Sequence, residues 1–80
     1  MPNKLRQLSG KEVLLFFQKL GYEVKSQRGS HIKLKRLDSR IILIPNHKII
    51  DKSTLKAIFN QALVIVSENE LRKFFYSDDR

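Results

Sequence analysis

Apolar residues recur along this chain with two different periods. Val13, Leu14, Phe16, Phe17 and Leu20 return at the spacing of a helix with one apolar stripe. "SGKE" at 9–12 prepares its start: the Ser9 hydroxyl can accept from the Glu12 amide while the Glu12 carboxylate reaches back to Ser9. Gly21 stands where a helix end turns left-handed, so a helix is predicted over 10–20. From there the period falls to two. "YEVKSQ" (22–27) reads as a strand with Tyr22 and Val24 inward, and "RGS" (28–30) turns the chain. "HIKLK" (31–35) places Ile32 and Leu34 on one face and His31, Lys33 and Lys35 on the other. "RLDSR" supplies a second turn, and "IILI" (41–44) is a third strand stopped by Pro45.

Helical spacing then returns. Asp51 can cap a helix in which Leu55, Ile58, Phe59 and Ala62 share a side. "SENE" at 67–70 is a second capping box, opening a terminal helix with Leu71, Phe74 and Phe75 as its stripe. "LVIV" (63–66) fits either a short strand or a buried connector, and periodicity does not choose between them. Residues 77–80 are expected to fray. The predicted order is α-β-β-β-α with a short extra helix, in one domain spanning 1–80. Helices on one face of a three-stranded antiparallel sheet make a two-layer α+β fold.

Composition narrows the class. Eighty residues suffice for one modest core. No cysteine is present, which removes disulfides and thiolate metal sites. No apolar run approaches the roughly 20 residues of a membrane span, and "MPNKLRQLSG" lacks the apolar stretch of a secretory signal. A soluble, cytoplasmic protein with no membrane partner is the expectation. Charge changes the picture more. Residues 1–48 hold eleven basic and three acidic side chains, whereas 49–80 hold five of each. A small domain with one strongly basic half has the electrostatic footprint of a polyanion binder.

The basic stretch "RGSHIKLKR" (28–36) is where charge meets candidate chemistry. If the second turn centres near Asp38–Ser39, His31 lies opposite Ile44 to Asn46, and His47 follows directly. Both imidazoles then sit at one end of the sheet, bordered by Arg28, Gly29 and Ser30. This arrangement suits RNA cleavage. Imidazole can move protons at neutral pH. Lys and Arg can stabilise charge building on phosphorus, and backbone amides at Gly29–Ser30 can form an anion nest. Plainer readings exist: a structural histidine, a solvated lysine face, a turn at Gly29–Ser30 and a loop residue at His47. Two histidines with few carboxylates nearby make a poor ligand set, so no metal and no cofactor are expected. Ser30 and His31 do not form a nucleophile pair, because adjacent strand residues point to opposite faces.

These residues resemble the HicA family of toxin–antitoxin ribonucleases, related to the YcfA-like proteins, over nearly the whole chain. "SGKEVLLFFQKLGYEV" resembles the family's opening helix and "QRGSHIKLK" its Gly-Ser-His signature. "IPNH" resembles its Val/Ile-Pro-x-His stretch, and "DKSTLKAIFNQA" its closing helix. The resemblance implies a fold like the double-stranded RNA-binding domain and metal-independent cleavage of mRNA that arrests translation. It also implies neutralisation by a HicB-type antitoxin. The catalytic histidine of the motif falls on His31, with Gly29 and Ser30 before it. Lys25, Arg28, Lys33, Lys35 and Arg36 would hold RNA phosphates, with His47 as a possible auxiliary. Two departures are Ile32, where members often carry a second histidine or other polar residue, and Ser53, where a glycine often stands. The alternative from the element order is a catalytically inert RNA-binding module. Such domains usually carry a lysine cluster at the start of the last helix, whereas "DKSTLK" offers an acidic cap and two spaced lysines. A third possibility is an interaction-only domain for an acidic partner.

Overall fold

The computed structural model describes residues 4–36 and 41–77. Its elements are β1 (Lys4–Leu5), α1 (Gly10–Lys19), β2 (Glu23–Arg28), β3 (His31–Lys35), β4 (Ile42–Pro45), α2 (Lys52–Ala62), α3 (Glu68–Phe75) and β5 (Tyr76–Ser77). The predicted α+β architecture is present: three helices and a three-stranded antiparallel sheet in the order β2-β3-β4. The turn expected near Asp38–Ser39 lies outside the described residues.

Each helix starts as its sequence dictates. At α1 the Ser9 hydroxyl accepts from the Glu12 amide at 3.1 Å, and the Ser9 amide donates to Glu12 Oε1 at 2.9 Å. At α2 the Asp51 carboxylate accepts from the Thr54 amide, the Thr54 hydroxyl and the Ser53 hydroxyl. At α3 the Ser67 hydroxyl accepts from the Glu70 amide at 3.3 Å and donates to the Glu70 carboxylate at 3.5 Å, half of the expected reciprocal box. Gly21 has φ +97°, the left-handed conformation that ends α1. Residues 63–66 form a connector rather than a strand. The Ile65 and Val66 amides both donate to the Ala62 carbonyl, and only the end of the connector is buried: Val66 is inside, whereas Leu63 and Val64 are exposed.

Ile32, Leu34, Ile42 and Ile44 turn one sheet face inward, where they meet Val13, Phe17, Leu55, Ile58 and Phe59. Phe75 closes this core, its ring 5.6–6.5 Å from those of Phe16, Phe17 and Phe59. Val24 departs from expectation: it is 44% exposed, although it sits opposite buried Leu34. The reason is coverage. α1 and α2 both lie against β4, which leaves the inner side of edge strand β2 uncovered. Pro45 also differs, being the last paired residue of β4, opposite His31, rather than a stop before it. An edge strand has no inner ladder on its far side, so a missing N–H is tolerated there.

The alternation pattern did not announce a second, two-stranded sheet. β1 pairs with β5, Lys4 facing Ser77 and Leu5 facing Tyr76. Arg6 extends this clasp: its amide donates to the Phe75 carbonyl at 2.8 Å, and its guanidinium donates to the Phe74 carbonyl at 2.8 Å. Residues 78–80 of the expected tail lie outside the described residues.

Candidate active site

β3 is the middle strand, so its outward side chains have neighbours on both sides. His31 pairs with Arg28 on β2 and Pro45 on β4; Lys33 pairs with Ser26 and Leu43. Ser26, Arg28, His31, Lys33 and Leu43 line an open depression of about 540 Å³. A second depression, about 240 Å³, is lined by His31, Leu43, Pro45, His47, Asp51 and Thr54. The two share His31 and Leu43. The exposed imidazole of His31 therefore stands on the rim between them, with cations on one side and a second imidazole on the other.

Local structure explains this placement. Gly29 has φ +55°, and nothing lies within 4 Å of where its Cβ would be. Its use is conformational: it reverses the chain tightly enough to set Arg28 beside His31. In the loop after β4, the Asn46 amide donates to the Ser30 carbonyl and the His47 carbonyl accepts from the Gly10 amide at 2.8 Å. These bonds tie the His47 loop to the β2–β3 turn and to α1. At Asp51, the Ser53 hydroxyl first, and then the Thr54 hydroxyl and amide, lower the carboxyl pKa from 3.8 to about 2. Asp51 is thus a carboxylate at any pH where imidazole titrates, and its oxygens are already taken by the helix cap.

The remaining candidates are distributed unequally. Lys25 and Lys35 line a separate depression with Gly21 and Glu23, and Lys25 Nζ lies 3.5 Å from Glu23 Oε1. Glu23 pairs with Lys35 at the opposite end of the β2–β3 ladder from His31. Arg36 belongs to the end of α1: it donates to the Leu20 carbonyl at 2.8 Å and lies 5.6 Å from the Tyr22 ring centroid. Gly29 and Ser30 form the turn, with the Gly29 carbonyl accepting from Gln27 Nε2. Arg28 and Lys33 are thus the cations that share a depression with His31. Sequence reasoning missed Ser26, Leu43 and Thr54 as lining residues, and read Asp51 only as a cap. Strand pairing would have flagged Ser26 and Leu43 through Lys33. Thr54 carried no signal, because its approach depends on how α2 meets the sheet. Among the described residues, no three His, Asp or Glu side chains are grouped closely enough to hold a metal ion. No helix among them is long and apolar enough to cross a membrane.

Fold and site together define a small α+β domain that offers a cationic sheet face with an exposed imidazole at one end of its middle strand. Residues 10–64 match the family model described as the HicA toxin of bacterial toxin–antitoxin systems, well over half of the chain, and the protein belongs to that family. No curated protein and no solved structure gives a significant match. Membership makes the chain the toxin side of a toxin–antitoxin pair, with a cognate antitoxin as its partner.

Proposed function

We propose that this toxin is a metal-independent endoribonuclease that cleaves mRNA in the cytoplasm and so arrests translation. His31 is its catalytic residue. In this reading Arg28 and Lys33 hold the phosphates flanking the scissile bond, and His31 moves the proton that the reaction must transfer. The ribose 2′-oxygen loses its proton and attacks phosphorus, the P–O5′ bond breaks, and the 5′-oxygen takes up a proton. The products are a 2′,3′-cyclic phosphate and a 5′-hydroxyl. The observation that carries the reading is the position of His31, exposed between a cation-lined depression and one holding His47. A HicB-type antitoxin would inhibit by covering this face, with its acidic residues steering association toward the basic half of the toxin.

The test is cleavage of a long unstructured RNA in EDTA by wild type and His31→Ala, with circular dichroism to confirm that both are folded. Loss of one imidazole should lower the rate by about 10²- to 10⁴-fold while RNA binding persists. If both proteins bind and neither cuts, the domain is an inert RNA-binding module. If His31→Ala cuts as fast as wild type, the chemistry lies elsewhere.

A further inference from the structure

The two depressions beside His31 are not the end of the concave surface. Ser9, Lys11, Asn46, His47 and Lys48 line a third, of about 300 Å³. It shares His47 with the second depression, as the second shares His31 and Leu43 with the first. The three follow one another from Arg28 and Lys33, across the two imidazoles, to Lys11 and Lys48. No acidic side chain lines the first or the third. The one carboxylate in the middle, Asp51, is committed to the α2 cap.

This succession is built into the packing. Gly10 is buried, and a Cβ added to it would collide with the Pro45 carbonyl oxygen and come within 2.8 Å of Asn46 Cα. The absence of a side chain lets the 45–48 loop lie directly on the start of α1, where the Gly10 amide donates to the His47 carbonyl. Lys11 and Lys48, far apart in sequence, thereby face one depression. The same loop is held to the β2–β3 turn by the Asn46–Ser30 bond, directly before His31, so this cationic pair is fixed relative to His31.

We propose that Lys11 and Lys48 form a second phosphate-binding patch, and that a single RNA strand runs from Arg28 and Lys33 over His31 and His47 to reach it. The inference rests on the ribonuclease reading and extends it: the enzyme grips the strand on both sides of the scissile phosphate. Such a grip favours internal cuts in long RNA and makes affinity depend on nucleotides beyond the reacting pair. Cations at both ends of one file of depressions suit the regularly spaced charges of a phosphodiester strand that tracks a positively charged groove.

The experiment compares wild type with Lys11→Glu/Lys48→Glu on a long unstructured RNA and on a dinucleotide too short to reach the patch. Both lysines are exposed, and a glutamate in the first turn of α1 suits the helix dipole, so the fold should survive. The expected result is a KM at least tenfold higher on the long RNA, with kcat and dinucleotide turnover unchanged. Two lost phosphate contacts should also flatten the log–log salt slope of RNA binding by about 1.4. If wild type cleaves and the variant keeps its KM and salt slope, the path stops at His31; the patch is wrong and the ribonuclease reading stands. If the variant loses only its antitoxin, the patch is a protein dock and the proposal falls. If wild type neither binds nor cuts RNA, both readings fall together.

Discussion

Asp51 shows how a side chain can border the candidate site while serving the fold. Its three hydrogen bonds are those of a helix cap, and they hold the carboxyl pKa near 2 against 3.8 when free. A group stabilised in its ionised form contributes fully above its unfolded pKa and loses that contribution as pH falls toward the folded one. Asp51→Ala should therefore lower the melting temperature at neutral pH, and the gap to wild type should shrink between about pH 4 and pH 2. Thermal unfolding followed across that range checks it. His31 was legible at this scale, because turn position alone placed it opposite residues 44–46 and the ladder pairs it with Pro45. Val24 was not. Alternation gives the face on which a side chain lies, but only the helices decide which part of that face is covered.

Between elements, the decisive contact is the backbone of the 45–48 loop against the first residue of α1. Gly10 and Gly29 make a controlled pair. Gly29→Ala meets open space and pays only for the left-handed backbone, about 1–2 kcal/mol. Gly10→Ala drives a methyl group into backbone that cannot rotate away, an overpacking cost of about 1–3 kcal/mol. Denaturant unfolding should rank them in that order. Gly10→Ala should also raise KM for long RNA, because the displaced loop carries His47 and Lys48. The sequence "SGKE" revealed the cap but not this contact, since a glycine at the first helical turn has no signature of its neighbours. The Ser9 capping box, the alternation of β3 and the β3–β4 register follow short-range rules and match the structure to within a residue or two, whereas the Ser67 box is half formed and β2 lies exposed.

At the scale of the whole molecule, the family match ends at residue 64, yet the core does not. Phe75 lies among the rings of Phe16, Phe17, Phe59 and Phe74, so α3 closes a core begun by α1 and α2. Phe75→Ala should cost about 3–5 kcal/mol. Against a total stability of roughly 5–15 kcal/mol for a domain, that would leave a marginal protein, visible as an early midpoint in urea. The stripe Leu71, Phe74, Phe75 announced this helix, whereas the β1–β5 sheet went unseen because two-residue strands are too short to show a period.

That small sheet has a mechanical consequence. Its strands run antiparallel, with Lys4 facing Ser77, so both ends of the described chain leave from the same side of the clasp. Tension applied between them peels the ladder open one pair at a time instead of shearing all its bonds together. The next piece in line is α3, and with it goes Phe75. Pulled from its ends, the domain should yield at low force and in a fixed order, losing the lid of its core before the sheet that carries His31.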